Sequence, residues 1–417
     1  MSLKIAIVVH GRFYAFDLAR ELLRRGHDVT LFTNYPRFVA ERFGVPRERV
    51  HHHLVHGAAA RFLGRLFPGG LGGRLDRVLN TAFGRWAARR VAGQHWDVVL
   101  GFSGASEETF RALAGAGPLR FLQRGSSHIR VQWQLLKEEE ARVGRPLEKP
   151  SAWIVAREER EYALADAIAV LSEFAHHSFV SQGVAPEKLF RLAMGVNVAA
   201  FRPSAEVIAE RCRRIRGGAP LRVLNVGTFS YRKGAQDFAD LAGRLDPRRF
   251  ALRCVGPVAA DTRALQRRLR GRVEFIGRRP ERDLPQEYVW GDVFVLPAIE
   301  DGFAVVLTQA LASGLPLLTS TNCGGPDLID EGRTGWVVPI RAPQALAERL
   351  EWCDGRRPEL VEMVRHVYNG WRPFDWADTA RQAEKNILAA LAAGRRQLTK
   401  QAESQEAGQR ELTGERE

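Results

Sequence analysis

Short apolar runs rich in β-branched residues alternate with amphipathic stretches along nearly the whole chain. Lys4 to Val9 reads as a buried strand, and His10-Gly11-Arg12 as the turn that follows it. Phe16 to Arg25 repeats apolar positions at helical spacing and stops at Gly26, a helix-terminating residue. Val29 to Thr33 is the next strand. Strand, tight turn, helix and strand form the opening of a doubly wound α/β domain. Further strands are expected at Val50–Val55, Val98–Phe102, Leu119–Gln123 and Ala167–Leu171, with helical patterns between them.

The pattern then restarts. Leu221 to Val226 is an apolar run, followed by Gly227, a short loop and a helix from Ala235 to Leu245. Phe250–Val255, Val273–Ile276 and Val293–Leu296 add strands, and Pro297 stops the last of them. A loop with Asp301 and Gly302 leads into a helical run, Val305 to Ala312, closed by Ser313-Gly314. Leu315–Leu318 reads as one more strand, and Gly324-Gly325 as a turn. Two similar openings half a chain apart predict two doubly wound parallel-sheet domains rather than one large sheet.

The join falls near Phe201-Arg202-Pro203-Ser204, which divides the chain into residues 1–203 and 204–375. Phe374-Asp375-Trp376 introduces a last helix, about 376–393, expected to pack back on the first domain. Residues 394–417 are polar, lack an apolar stripe and are expected to be disordered.

Composition narrows the class. The chain has 417 residues, 45% of them hydrophobic and 26% charged, which suits a soluble globular protein. No apolar run is long enough to span a membrane, and the amino terminus enters a strand at once with no cleavage-site pattern. Cys212, Cys254, Cys323 and Cys353 lie far apart, which fits a reducing cytoplasm and neither a disulfide framework nor a zinc site. The net charge of +14 leaves phosphorylated ligands and an anionic membrane surface open as partners. No nucleic-acid motif is present.

Four stretches carry candidate chemistry, each with a plainer rival. Gly227-Thr228-Phe229-Ser230-Tyr231-Arg232-Lys233-Gly234 is a strand-to-helix loop with adjacent cations that could clamp a pyrophosphate; the rival is a solvated turn. Asp301 and Gln309 place a carboxylate and an amide where sugar hydroxyls could be bound, against a simple helix cap. Arg124-Gly125-Ser126-Ser127-His128 follows a strand and suits an active-site loop, or a structural turn. Ala58 to Gly93 interleaves aromatic and aliphatic residues with seven arginines, as in a helix lying on an anionic membrane or an ordinary core helix with a basic outer face. His51-His52-His53 with His56, and His176-His177, match no zinc spacing and are read as non-metal.

Taken together, these stretches resemble the family 4 glycosyltransferases over nearly the whole chain, Lys4 to about Ala393. The carrying segments are Ala165 to Phe174, Gly195-Val196-Asn197 with Phe201-Arg202-Pro203, Phe275 to Pro297 and Glu300 to Leu318. The resemblance implies the GT-B fold of two facing Rossmann-like domains. It also implies transfer of a sugar from a UDP- or GDP-sugar to a saccharide or lipid-linked acceptor, with retention of configuration and without a required metal or cofactor. The same resemblance implies a role in bacterial surface polysaccharide or glycolipid synthesis in the cytoplasm, and the basic amphipathic stretch suits a peripheral location on the inner face of the plasma membrane, since acceptors of that kind are lipid-linked.

Residue by residue, Lys233 matches the pyrophosphate lysine, Asp301 the first acidic position of an E-x7-E motif and Gln309 the second. Gly302, Phe303, Ala304 and Val305 would contact the donor through backbone, and Ile276, Gly277 and Arg278 would lie at the base. His128 resembles a catalytic histidine, and Gly11 and Gly227 would face the diphosphate. Two departures follow. The motif reads D-x7-Q, which implies altered donor contacts. Thr228 stands where the family has an arginine, so Arg232 would supply that charge. The rivals are another GT-B enzyme, an epimerase or phosphorylase, and a non-catalytic nucleotide-binding scaffold.

Overall fold

The computed structural model describes residues 2–66, 72–115, 117–372 and 374–413. Among the described residues, thirteen strands build two all-parallel sheets. In the first half they are β1 (Lys4–Val9), β2 (Asp28–Thr33), β3 (Val50–His52), β4 (Val98–Phe102), β5 (Leu119–Gln123), β6 (Ala167–Val170) and β7 (Leu189–Arg191). The second half contributes β8 (Leu221–Val226), β9 (Phe250–Val255), β10 (Val273–Gly277), β11 (Val293–Leu296), β12 (Leu317–Ser320) and β13 (Gly335–Val338). The sheet orders are 3-2-1-4-5-6-7 and 10-9-8-11-12-13. Both are doubly wound, and each order reverses beside its first strand, β1 or β8, which is where such sheets hold ligands. This is the GT-B arrangement that the resemblance implies.

The central strands of each sheet are buried on both faces, so they are near-continuous apolar runs. β1 packs through Ile5, Ile7 and Val9 on one side and Ala6 and Val8 on the other. The helix Trp376–Thr413 crosses back to the first half. Ala380, Ala383 and Ile387 pack among Leu18, Leu22 and other residues of the first core. The Thr379 hydroxyl accepts from the Gly195 N–H at 2.8 Å and fixes the crossing.

Several elements differ from expectation. The run Val50–Val55 is a strand only to His52. The helix Leu54–Leu66 starts there, and Leu54 and Val55 are exposed rather than paired in the sheet. The last helix does not end near Ala393 but runs on to Thr413, through most of the stretch expected to be disordered. That stretch is rich in Gln, Glu, Lys, Arg and Leu, which favour helix without needing an apolar face. Strands β7 and β13 were not anticipated. They hold three and four residues and lie at sheet edges.

Of the basic amphipathic stretch, Phe83 is fully buried and Trp86 packs on it, with ring centroids 5.4 Å apart. Phe62 and Val78 are exposed. The side chains of Arg61, Arg65, Arg74, Leu63, Leu66, Leu71, Leu75 and Phe67 lie outside the described residues. Among the described residues, no helix is long and apolar enough to cross a membrane.

Candidate functional site

The loops that leave β5, β8 and β11 meet where the two sheets face each other, and the loop after β1 reaches the second half where Arg12 comes within 3.7 Å of Glu281. Val226 ends β8, and the chain turns through Gly227 and Thr228 into a short 3-10 turn, Tyr231–Lys233. The Arg232 carbonyl accepts from the Ile299 and Glu300 N–H groups, at 3.0 and 3.2 Å. This stitches the β8 loop to the β11 loop and sets two cations beside two carboxylates. Arg232 Nε donates to Glu300 Oε2 at 2.7 Å, and Lys233 Nζ donates to Asp301 Oδ2.

Glu300 is the pivot. Its side chain is fully buried. Its Oε1 accepts from both the N–H and the hydroxyl of Ser127, at 2.9 and 2.8 Å, in the opposite domain. Arg232 Nη2 also crosses, donating to the Ser126 hydroxyl at 2.9 Å. Burial would raise the Glu300 carboxyl, but the Arg232 charge, the Ser127 hydrogen bonds and the Lys233 charge outweigh it and hold it at about 2. A carboxylate that ends a buried apolar run with no polar spacer is the signal sequence reasoning passed over; Asp301 drew the attention instead.

The halves are in close contact here. A Cβ on Gly302 would sit 2.3 Å from the Gly125 carbonyl oxygen, so only glycine lets these backbones meet. The side chain of Phe303, a residue 3% exposed, packs with the apolar core of the first half. Further out, Arg142 donates to Asp237 at 2.7 Å, Arg341 to Glu139 at 3.1 Å, and Arg191 pairs with Asp327. These pairs all span the two halves.

Ala304 caps the helix Val305–Ala312 with φ +65, a conformation that costs an L-residue about 1 kcal/mol or more. It turns the chain so that the first N–H groups of that helix follow directly on Asp301 and Gly302. Gln309, one turn into the helix, is 8% exposed, and its Oε1 accepts from the Tyr288 hydroxyl at 2.8 Å. That bond orients the amide.

The ends of β8, β9 and β10 are adjacent. Gly227 N–H donates to Val255 O, and Gly256 N–H to Gly277 O, both at 2.9 Å. Thr228 and Arg278 are exposed beside them, and Ile276 is half-buried. Gly11 sits on the other wall, its N–H donating to Asn34 Oδ1 at 2.9 Å.

His128 does not join this group. It is 3% exposed, and its ring packs between Tyr162 and Phe179, with centroids 4.9 and 5.0 Å away. Its Nδ1 accepts from the Arg130 N–H at 3.2 Å and caps the helix Ile129–Val143. Burial, then the charges of Arg124 and Arg130, lower its pKa to about 4, so the imidazole is neutral. His128 therefore has the geometry of a helix cap, not of a group facing the cleft.

A pH test follows. The folded pKa lies below the ordinary 6.5, so the stability this neutral ring confers is complete above pH 6.5 and is lost as pH falls through 4. About 3 kcal/mol is at stake over that window. His128→Asn keeps a capping side chain and is expected to flatten the fall in stability between pH 6.5 and 4, measured by denaturant melts. An unchanged pH slope would show that the ring is not the source.

The expected histidine clusters also resolve. His51 stacks on Phe32 at 5.0 Å, His53 lies on Trp86 at 5.3 Å, and His56 Nε2 is 2.9 Å from the Leu79 carbonyl. Among the described residues, the ligand-type atoms that converge belong to Glu173, His176 and His177, within 4.8 Å of one another. One Glu173 oxygen is already taken by Arg191 at 2.6 Å.

Comparison with known proteins agrees with the fold. Residues 220–353 match the family model described as glycosyl transferases group 1. The chain is 30% identical over 183 residues to a putative colanic acid biosynthesis glycosyltransferase, WcaL, of Salmonella typhimurium, covering 41% of this chain and 43% of that one. It is 32% identical over 243 residues to a GDP-mannose-dependent alpha-mannosyltransferase of Mycobacterium tuberculosis, covering 57% and 61%. The chain thus spans about half the length of the curated relatives it matches. The crystal structure of Anabaena Alr3699/HepE in complex with UDP and glucose superposes with a TM-score of 0.64 at 15% identity, covering 92% of this chain and 99% of that one.

Proposed function

We propose that this chain is a retaining glycosyltransferase that moves a sugar from a UDP- or GDP-sugar to a saccharide or lipid-linked acceptor. The observation that carries the reading is the pairing of Lys233 with Asp301 and Arg232 with Glu300, at strand ends opposite Ser126–Ser127. The cations and the amino terminus of the helix Val305–Ala312 offer positive potential where a departing diphosphate gathers charge. Asp301 accepts from the hydroxyls of the donor sugar, and Lys233 turns from Asp301 to the diphosphate when donor binds. Gln309, anchored through Oε1 by Tyr288, presents its NH2 to the ribose. Ile276, Gly277 and Arg278 flank the base, and Gly11, Gly227 and Thr228 line the diphosphate. The closed contact of Gly302 on Gly125 keeps water from the donor.

The chemistry in this reading needs no metal or organic cofactor, because Lys233 and Arg232 supply the positive charge. The names of the relatives and of the UDP- and glucose-bound neighbour support a nucleotide-sugar donor. We further place the enzyme in the cytoplasm against the inner membrane face, serving surface polysaccharide or glycolipid synthesis. Exposed Leu54, Val55, Phe62 and Val78 lie on the same pair of helices as exposed Arg77, Arg85 and Arg89, a combination suited to anionic lipid.

Thermal-shift screening with UDP, GDP, ADP and their sugars tests the reading. A nucleotide at a hundredfold excess over its Kd is expected to stabilise the fold by about 2.7 kcal/mol. No shift with any of them overturns it. Asp301→Asn frees Lys233 and is expected to hold or tighten nucleotide binding while transfer falls about 100-fold, the loss typical of one polar contact made in the transition state. Unchanged transfer would remove Asp301 from the mechanism.

A further inference from the structure

Phe13 lies in the loop after β1 and carries two costs. Its φ of +42 falls in the left-handed region, which disfavours a bulky L-residue. It is also 64% exposed. The loop is nevertheless built to hold that ring in place. One face rests on Phe102, with centroids 6.0 Å apart and planes 17° from parallel. Phe102 is itself buried and packs on Tyr14 at 5.0 Å, and the Tyr14 hydroxyl donates to Gln123 Oε1 at 3.2 Å. Gly11 leaves the space: a Cβ there would come within 3.1 Å of the Phe13 ring. So one face of an aromatic ring is supported by the fold and the other is open.

The loop that carries the ring reaches across to the second domain. Arg12, the preceding residue, reaches Glu281 of the second domain at 3.7 Å. Phe102 precedes Ser103, whose hydroxyl accepts from Arg124 Nη1 at 3.3 Å, and Arg124 leads into the Gly125–Ser127 turn that meets Glu300 and Gly302. The loop that holds the ring thus belongs to the first-domain side of the cleft, and its support, Phe102, adjoins the strand end that anchors the Gly125–Ser127 turn.

We infer that Phe13 is the stacking platform for a sugar ring of the acceptor. The proposal rests on the transferase reading and sharpens it. One face of a pyranose is a set of C–H groups of slight positive charge, which suits the negative face of an aromatic ring. The acceptor that presents itself here is then a glycoside, whatever its aglycone, and not a bare lipid phosphate.

The two sources separate experimentally. Saturation-transfer NMR, run with saturating UDP or GDP, would compare octyl β-glycosides of glucose, galactose, mannose and N-acetylglucosamine with octyl phosphate. At least one glycoside is expected to bind the wild type and Phe13→Trp alike. Phe13→Ala and Phe13→Gly are expected to lose that binding by tenfold or more. Phe13→Gly also relieves the φ of +42, so its melting temperature is expected to rise, and lost binding cannot then be lost folding. Binding of octyl phosphate alone, of no glycoside, or of a glycoside equally by Phe13→Gly overturns the platform. The nucleotide thermal shift reads out separately. Its absence sinks the transferase reading, whereas its presence with Phe13-independent binding sinks only the platform.

Discussion

Glu300→Ala is expected to open the cleft and to cost more stability than any other single change at the site. It leaves the Arg232 guanidinium without its counter-charge and the Ser127 N–H without its acceptor. Breaking a buried ion pair from one side costs about 3–5 kcal/mol, and the partial exposure of Arg232 places this case near the lower figure. Transfer is expected to fall at least 100-fold, since the turn that carries Ser126 and Ser127 loses its hold on the second domain. Glu300→Gln keeps the shape and one acceptor but no charge, and should fall between. Denaturant melts and small-angle scattering measure the two effects; a variant that melts like the wild type and stays compact would refute the role given to Glu300. The pH dependence has a definite sign. The folded carboxyl lies at about 2, below its ordinary 4.5, so its contribution is complete above pH 4.5 and lost as pH falls through 2. Glu300 therefore imposes no pH dependence on transfer between pH 5 and 8.

Much of the fold was legible because parallel strands buried on both faces leave plain apolar runs. Lys4–Val9, Val98–Phe102, Leu119–Gln123, Leu221–Val226 and Phe250–Val255 coincide with observed strands. The edge strands β7 and β13 escaped because a three- or four-residue pairing leaves no period to detect. The site was legible only where chemistry is local. Asp301, Arg232 and Lys233 follow strand ends, and the structure brings them together. His128 misled because residue type and a strand-end position do not reveal burial, which here depends on Tyr162 and Phe179. Glu300 is set aside by the Gly302-Phe303 register, which points to Asp301, and its meeting with Arg232 and Ser127, 68 and 173 residues away, is not written in the apolar run that precedes it.

Gly302→Ala tests closure without removing a charge. The three atoms nearest to a Cβ at this position, at 2.3, 2.7 and 2.8 Å, are all backbone of Gly125 and Ser126 in the other domain. Backbone cannot yield as a flexible side chain would, so the halves must part. Within the second domain the added methyl meets nothing closer, so that domain should keep its own packing and its nucleotide site. The expected outcome is a nucleotide-induced thermal shift like that of the wild type, a larger radius of gyration, and transfer lowered about 100-fold or more, as a misplacement of about 1 Å can produce. Glu300→Ala also leaves Arg232 without its counter-charge, whereas Gly302→Ala parts the halves with the Arg232–Glu300 pair intact. If Gly302→Ala stayed compact and transferred normally, contact between the Gly125–Ser127 turn and the Glu300–Gly302 loop would not be the catalytic conformation. Hydrolysis of the donor by water decides what closure is for. An open Gly302→Ala enzyme that binds donor but admits solvent should show a higher ratio of hydrolysis to transfer than the wild type, because the same contact that aligns the two domains excludes water.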